Sequence, residues 1–520
     1  MQWIRGIANI ALFGVWPFLH FAAQNLTLHT DLGLSIPRLM AAAFGLIMLA
    51  LTLWLALSLL FRRIHSDRWA AVTGIGIVVT FLFGPLASVM QDYGHFRHSQ
   101  TVVWALAAAA LLALVWLLSR SKDFSRKLTI IAVALNGLAL MPLVFVQQEI
   151  GVELSPRKDE ADVARAAPLV PSHSETKTRR PNVYFFIFDE YDRADQLKAL
   201  FEFDNQSFLK GLTDRGFVIG EKSYANFPST LLSVSSTLSM NLIVAEGKVF
   251  DWWGDGAREA KRVIDGYNPV VGRFRELGYK YIHGGGEAYV RCGNAEDLCI
   301  RAKPVTWITE QERLLMLMTP LRLFRYRFRF AADKFTPTVV KNAVRQLLGQ
   351  PRFVYAHFMI PRSSVYQDGC ATVTALDGMM HVKTLPRHDP ALMRQRKLRY
   401  VNDIECVNPA VIDLVDSILA DDADPIIIVQ SDHGSTYLHD WSTAEWPDDE
   451  FKERYGILNA IRLPERCRQQ LYPTMTPVNT FRIVFACIEE RAPELVDDVS
   501  LLIRYYGKEP TRARRAGSKN

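Results

Sequence analysis

The sequence predicts two structural parts: an N-terminal all-α membrane domain of about five transmembrane helices, and a C-terminal α/β domain with a mainly parallel sheet. Three observations lead to this fold class. Long apolar runs fill residues 1–148, and a membrane-spanning helix needs roughly 20 such residues. Beyond residue 181, short apolar runs alternate with helical patterns, as in an α/β sheet. Two of these short runs end in acidic residues, one of them followed by histidine.

Composition divides the chain further. The predicted segments are a transmembrane domain (1–150), a linker (151–181), an extracytoplasmic domain (182–505) and a basic disordered tail (506–520). The linker is rich in Pro, Ala, Ser and charged residues without an apolar period, a composition that cannot bury a core. The formal net charge is only +6. No dense basic stripe accompanies a nucleic-acid motif, so nucleic acid is not a predicted partner.

Five apolar runs are predicted to cross the membrane. They lie at about 6–23, 37–60, 69–90, 101–119 and 127–147. The first run follows Arg5 and has a signal peptide as its alternative interpretation. However, Trp16, Pro17 and Phe18 stand where a small-residue cleavage site is needed, and four more spans follow.

Loop charges set the predicted orientation. Basic residues concentrate after the second and fourth spans, at Arg62, Arg63, Arg68, Arg120, Lys122, Arg126 and Lys127. The other two loops contain only Arg38 and Arg97. Because positively charged loops stay in the cytoplasm, the N-terminus is predicted to lie inside. The chain after about residue 150 then lies on the periplasmic side of the inner membrane, anchored by a multi-pass domain.

Cysteine placement agrees with export. The chain has six cysteines, all in the C-terminal part: Cys292, Cys299, Cys370, Cys406, Cys467 and Cys487. An even set in an exported domain predicts disulfides, and Cys292 and Cys299 are close enough in sequence to close a short loop. Six buried thiols are the alternative.

Acidic residues and a histidine follow two apolar runs. NVYFFIFDEY (182–191) and DPIIIVQSDHG (424–434) read as buried strands, and FVYAHFMIP (353–361) as a third. Ligands bind at the carboxyl ends of strands in such sheets, so Asp189, Asp432 and His433 are expected in one crevice. Carboxylates and imidazole suit zinc or manganese better than magnesium. For Asp189 alone, a helix N-cap is the competing interpretation.

A hydroxyl-rich segment, NFPSTLLSVSSTLSMN (226–241), supplies a candidate nucleophile. A hydroxyl needs a metal or a base to react at neutral pH. The alternative is a Ser/Thr-rich helix start with Ser229 or Thr230 as the cap. This alternative is compatible with function, because a helix N-terminus also stabilises an anionic phosphate.

The order of these motifs over about 181–505 resembles the alkaline-phosphatase/sulfatase superfamily. Sulfatases carry Cys-x-Pro-x-Arg, often with a hydroxyl residue at +9. With Thr230 in the first position, Ser239 falls at +9, and the cysteine and arginine are missing. The resemblance therefore disfavours a formylglycine sulfatase. Five spans before an exported domain resemble lipoteichoic acid synthases and lipid A phosphoethanolamine transferases.

The resemblance implies a set of site residues. Thr230 would be the catalytic nucleophile, and the metal ligands would be Asp189, Thr230, Asp432 and His433. The substrate-binding candidates are Arg362, His439 and Glu190. Arg362 stands where related proteins have a histidine, and Glu190 has a second metal-ligand role or a surface position as alternatives. His357 is interpreted as a core histidine. The implied cofactor is a divalent metal: zinc, with manganese or calcium as alternatives.

The implied reaction is phosphoryl transfer from a membrane lipid donor to an envelope glycan or lipid acceptor. Two alternatives stay open: a phosphodiesterase or sulfuric ester hydrolase, and a non-catalytic envelope protein that kept the fold. A further segment, 321–335, alternates arginine with aromatic residues. It is predicted to dock on lipid headgroups, with a solvated edge or helix face as the alternative.

Overall fold

The structure is a computed structural model of the 520-residue chain. It describes residues 2–24, 36–61, 64–92, 98–121, 123–151, 180–252, 255–285, 292, 295–301, 315–321, 335–345, 351–362, 365–366, 369–371, 390–422, 424–438, 447–503, 511–512 and 514–515. The chain forms two compact units. The first unit, 1–161 and 306–330, is called the membrane unit. The second, 162–305 and 331–520, is called the exported unit after its predicted location.

The membrane unit contains one helix at each predicted span. These are α1 (Gln2–Gln24), α2 (Ile36–Leu60), α3 (Ser66–Asp92), α4 (His98–Leu118) and α5 (Phe124–Gly151). Among the described residues, four stretches are long and apolar enough to cross a membrane: Trp3–Ala23, Pro37–Leu60, Ser66–Leu86 and Phe124–Met141. The apolar part of α4, Val102–Leu118, is shorter.

Apolar side chains also cover the outside of these helices. Leu49 on α2, Leu106 on α4 and Leu138 on α5 are each more than 60% exposed. A soluble helix would carry polar residues at such positions. Inside the unit, α1 packs on α5 through hydrogen bonds, in which Asn9 Oδ1 accepts from Thr129 Oγ1 at 2.7 Å. The outward apolar faces are what a membrane solvent requires.

The exported unit is built on a seven-stranded sheet in the order β2-β8-β7-β1-β6-β4-β5. Its strands are β1 (Val183–Phe188), β2 (Val218–Ile219), β4 (Lys280–Gly284), β5 (Leu298–Ile300), β6 (Arg352–Phe358), β7 (Ile426–Gln430) and β8 (Asn459–Arg462). The five strands from β7 to β5 run parallel. Strand β8 is antiparallel to β7, and β2 to β8. The predicted mainly parallel α/β sheet is therefore confirmed, with the three predicted strands adjacent at its centre.

Helices cover the sheet. They are α6 (Ala194–Phe201), α7 (Gln206–Thr213), α8 (Thr230–Ser239), α9 (Asp255–Ile264), α10 (Pro269–Glu276), α11 (Pro337–Val344), α12 (Pro390–Asp421), α13 (Asp448–Tyr455) and α14 (Thr480–Ile488). Along β1, Val183, Phe185 and Ile187 join one apolar core. Their neighbours Tyr184 and Phe186 join a second core on the other face. A strand buried on both sides explains the unbroken apolar run in the sequence.

Three disulfides form in the exported unit, as the cysteine count predicted. The pairs are Cys292–Cys299, Cys370–Cys406 and Cys467–Cys487. No free cysteine remains. The last pair ties the 3₁₀ helix Glu465–Gln470 to α14.

Paired strands occur within the predicted basic tail. A short strand at Thr511–Arg512 pairs antiparallel with β3 (Val249–Phe250), and another at Arg514–Arg515 pairs with β9 (Leu501–Leu502). Four residues of the tail therefore have partnered backbone.

Candidate active site

Two carboxylates come together at the carboxyl edge of the sheet. Asp189 directly follows β1, and Asp432 lies two residues after β7. Because β1 and β7 are neighbouring parallel strands, both acids reach the same end of the sheet. The Asp189 and Asp432 side chains are completely buried. Their proximity follows from strand order, and the sequence predicted that these two acids would come together.

His433 is held in one orientation. Its Nδ1 lies 3.1 Å from the Gly434 carbonyl oxygen. A carbonyl can only accept, so Nδ1 carries the proton and Nε2 keeps its lone pair. That lone pair faces Thr230 Oγ1 at 3.1 Å and Asp432 Oδ2 at 3.3 Å. The imidazole is therefore arranged to accept a hydrogen bond or to bind a cation through Nε2.

Thr230 is the first residue of α8. Ser229 caps this helix, since its side chain accepts from the Leu232 amide and its backbone is extended. The predicted helix start is thus correct, with Ser229 as the cap, and it leaves the Thr230 hydroxyl available for other contacts. The helix is fixed beneath the site because Ser233 Oγ donates to the Asp432 carbonyl oxygen at 2.6 Å.

The donor atoms converge as a metal site requires. Asp189 Oδ1 lies 4.0 Å from His433 Nε2, which also faces Thr230 and Asp432. Two ligands that share a tetrahedral zinc ion lie about 3.3 Å apart, given bonds of about 2.0 Å. Asp432 Oδ2 is buried and makes no hydrogen bond of good geometry among the described residues. Oxygen and nitrogen lone pairs at this spacing repel unless a cation lies between them, so these residues fit a divalent metal.

Burial shifts the ionisation of these groups. Burial and the adjacent Asp189 carboxylate raise the pKa of Asp432 well above its usual range. Burial and the nearby Arg454 and Arg362 guanidinium groups lower the pKa of His433. The imidazole is therefore neutral, which is the form that binds a metal.

His357 joins the site from β6 and was not among the site residues named from the sequence. It is fully buried, as a core histidine should be. However, its Nε2 lies 3.8 Å from Asp189 Oδ2 and has no hydrogen-bond partner among the described residues. Burial and the Arg362 charge lower its pKa to about 3. His357, Asp189 and Asp432 form a second possible metal-binding group.

Arg362 lies at the rim of the site. Its Nη1 donates to Asp189 Oδ2 at 3.2 Å, and its side chain is about a quarter exposed. Glu190 lies next to it, 3.8 Å from Arg362 Nε. Glu190 has a positive φ of 63°, which is costly for this residue type. Two of the three substrate-binding candidates, Arg362 and Glu190, thus lie beside the candidate metal ligands, and Glu190 also groups with Asp189 and His433.

Arg454, on α13, is a site residue that sequence reasoning missed. Its guanidinium group is almost fully buried and lies 3.1 Å from Glu190 Oε1. It also donates to the Pro228 carbonyl oxygen at 2.7 Å and the Gly434 carbonyl oxygen at 2.6 Å, and lies 3.4 Å from His433 Nε2. The Arg454 side chain therefore connects the segment that precedes Thr230 with the loop that carries His433.

Gly434 is required for this loop to close. A Cβ atom there would overlap the Glu453 carbonyl oxygen and lie 2.6 Å from Asp192 Oδ1. Beyond it, the Glu453 carboxylate accepts from Ser435 Oγ at 2.9 Å and from the Leu438 amide at 2.9 Å. The glycine of the Asp-His-Gly motif thus serves backbone packing. His439 lies outside the described residues, so its predicted role stays a prediction.

The chain is similar to solved structures of membrane-associated transferases and related hydrolases. One is the C-terminal periplasmic domain of EcEptC from Escherichia coli in complex with Zn, at 12% identity and a TM-score of 0.41, covering 66% of this chain and 96% of that chain. Another is the integral membrane protein lipooligosaccharide phosphoethanolamine transferase A from Neisseria meningitidis, at 12% identity and a TM-score of 0.36, covering 93% of this chain and 95% of that chain. A third is the phosphonate monoester hydrolase of Agrobacterium radiobacter, at 13% identity and a TM-score of 0.38, covering 63% of this chain and 82% of that chain.

These proteins come from the superfamily that the sequence motifs resemble. No protein-family profile matches the chain, and no curated protein matches it in sequence. At such low identity, function has to be argued from the side chains of the site.

Proposed function

We propose that the chain is a metal-dependent phosphoryl-group transferase, with Thr230 as its nucleophile. It acts at the outer face of the inner membrane, taking its donor from membrane phospholipid and passing the group to an envelope lipid or glycan. The observation that carries the proposal is the buried cluster around His433 Nε2. There the Thr230 hydroxyl oxygen and the Asp432 Oδ2 atom lie 3.1 Å and 3.3 Å from the unprotonated Nε2 of His433.

Asp189, Thr230, Asp432 and His433 would hold the metal. When bound, it would lower the pKa of the Thr230 hydroxyl and stabilise charge on the transferred group. The carboxylate and imidazole donors suit zinc, with manganese or calcium as alternatives.

The chain's own residues account for the transfer. Thr230 Oγ1 forms a bond to phosphorus as the bond from phosphorus to the donor's leaving oxygen breaks, and that oxygen takes up the proton that Thr230 gives up. An acceptor hydroxyl then attacks phosphorus, breaks the bond to Oγ1 and returns a proton to Thr230. Arg362 is partly exposed at the rim and would bind the phosphoryl oxygens by charge-assisted hydrogen bonds.

Three features of the chain support its placement in the membrane. The apolar outer faces of α2, α4 and α5 favour a lipid environment. The basic loops after the second and fourth spans favour a cytoplasmic N-terminus. The three disulfides need an oxidising compartment. Together they support an exported unit on the periplasmic side.

The experiment is a transfer assay with the purified full chain in vesicles. Phospholipid with a labelled headgroup is supplied together with an envelope lipid extract, and the label is followed into lipid, glycan and water. We expect metal-dependent transfer to a lipid or glycan acceptor, abolished by chelation and restored by zinc. Label released only to water would replace the transferase with a phosphodiesterase. No turnover in protein shown to contain metal would favour a non-catalytic envelope protein.

A further inference from the structure

A seven-residue segment far along the chain belongs to the membrane unit. Residues Leu315–Leu321 read LMLMTPL and contain no charged side chain. They fall within 306–330, which groups with the N-terminal helices. The flanking strand β5 and helix α11 belong to the exported unit. The chain therefore leaves the exported unit, contributes a segment to the membrane unit, and returns.

The segment makes a close backbone contact with α3. The Gly84 amide donates to the Met318 carbonyl oxygen at 2.8 Å. A Cβ atom at Gly84 would overlap the Leu317 carbonyl oxygen and lie 2.5 Å from Met318 Cα. Only glycine leaves room for a second backbone at this distance. Pro85 follows within the same helix, and proline disturbs the regular helical hydrogen bonds nearby.

Side chains of the segment complete an apolar cluster. Leu315 is only 6% exposed and belongs to the cluster formed by Phe18, Phe21 and Phe81. Met318 packs against the same cluster. The segment also has its own turn, in which the Thr319 amide donates to the Met316 carbonyl oxygen at 3.0 Å. In a membrane-embedded bundle, such a segment is held by close packing of side chains and by backbone hydrogen bonds, and it brings no charged group into the bundle.

We propose that Leu315–Leu321 is an anchor that holds the exported unit to the membrane unit independently of the 152–179 linker. Its partner is the chain's own helix bundle, at the contact with Gly84 of α3. The exported unit then stays with the membrane when the linker is cut. This inference concerns attachment only, and it does not depend on the proposed reaction.

The test places a site for a sequence-specific protease in the linker of the full chain. After cleavage in membranes, the exported fragment is followed in the pellet and the supernatant. We expect it to stay in the pellet in the wild type. Gly84→Val should release most of it, because the added side chain occupies the position of the Met318 backbone. Leu315→Asp should do the same from the other side, because a carboxylate is costly in an apolar cluster.

Gly76→Val is the matched control. Gly76 lies on the same helix and would place a Cβ with no atom within 4 Å, so its fragment should stay in the pellet. Each uncut variant is first checked for an intact helix bundle by its thermal unfolding in detergent, so that misfolding is distinguished from release. Release of the wild-type fragment would overturn the proposal. Retention of the exported fragment in both Gly84→Val and Leu315→Asp would also overturn the proposal, even if high salt then released the fragment.

Discussion

Thr230 and His433 form the contact on which the proposed chemistry depends. The hydroxyl oxygen lies 3.1 Å from Nε2, and Nδ1 is committed to the Gly434 carbonyl. A threonine that merely capped a helix would turn its oxygen to the backbone amides of the first turn. Here Ser229 makes that contact, so the Thr230 side chain is free to serve the site.

Removing the Thr230 hydroxyl should abolish turnover. We expect Thr230→Ala to lower kcat at least about 1000-fold, as loss of a nucleophile does elsewhere. Thr230→Ser should keep part of the activity, because its hydroxyl can take the same position. Thr237→Ala is the control, since among the described residues Thr237 Oγ1 donates to the Ser233 carbonyl oxygen within α8 and does not contact the candidate site. Full activity in Thr230→Ala together with an inactive Ser229→Ala would identify Ser229, and not Thr230, as the nucleophile.

Arg454 should act by positioning. Its guanidinium group spans the Pro228 and Gly434 carbonyl oxygens and Glu190, so we expect Arg454→Gln to lower kcat about 10- to 100-fold. Arg454→Lys should not restore kcat, because a lysine cannot reach three partners with one planar group.

Arg462→Gln is the comparison for Arg454. Arg462 bonds the Pro425 carbonyl oxygen before β7, at the end of the sheet away from the candidate site. Both variants are measured for kcat and for the midpoint of thermal unfolding. Equal losses of kcat in the two variants would contradict a specific role for Arg454.

At the scale of elements, the order of strands creates the site. Strand β1 lies between β6 and β7, so His357, Asp189 and Asp432 come from three adjacent strands or their ends. Arg362 pairs with Asp189, but Asp432 Oδ2 has no hydrogen-bond partner among the described residues. Repulsion between the two buried carboxylates opposes folding, and a bound divalent metal would relieve it.

Asp432→Asn should separate metal binding from folding. The asparagine oxygen can keep the contact that Asp432 Oδ1 makes with the His433 amide at 2.9 Å, and its NH₂ group can donate to Nε2. We expect bound metal to be lost, while the metal-free protein melts about 1–2 °C higher because about 1 kcal/mol of repulsion is removed from a unit of this size.

Asp424→Asn serves as the control for the metal prediction. Asp424 precedes the same strand at its other end, and its side chain is about half exposed. Metal content is measured by elemental analysis of both variants and of His433→Ala. Unchanged metal content in Asp432→Asn and His433→Ala would remove these residues from the ligand set.

Sequence patterns predicted the elements whose signals are local. The unbroken apolar run of β1 and the Asp-His-Gly after β7 located the site edge, because buried strands and their ends have clear signatures. The short strands β5 and β8, with three and four residues, have no period long enough to recognise. His357 alternates with apolar neighbours in β6, so its pattern matched a core residue.

Arg454 illustrates what a single sequence cannot distinguish. Helix α13 reads DDEFKERY and offers Lys452 and Arg454 as equivalent surface cations. Arg454 is the one that the fold buries, because it lies against the Pro228 and Gly434 carbonyl oxygens. The segment 306–330 is a similar case, because its grouping with the membrane helices depends on contacts between residues more than 200 positions apart. The predicted headgroup contact of 321–335 stays a prediction, since 322–334 lie outside the described residues.

For the whole molecule, orientation in the membrane is testable by reporter fusions. Fusions after residue 160 should give an active periplasmic reporter, and fusions after residue 121 should give a cytoplasmic one. The reason is that the basic loops after the second and fourth spans stay in the cytoplasm. A cytoplasmic result at residue 160 would contradict both the orientation and the compartment that the disulfides require.

The most direct measurement is the mass of the peptide that contains Thr230. The full chain is incubated with phospholipid donor and metal in the absence of an acceptor, stopped with acid, digested and analysed by mass spectrometry. The account predicts the mass of the transferred phosphoryl group on Thr230, lost again when acceptor is added and absent from Asp432→Asn. An enzyme that turns over donor while Thr230 stays unmodified, with the group found on another residue or on none, would contradict the account.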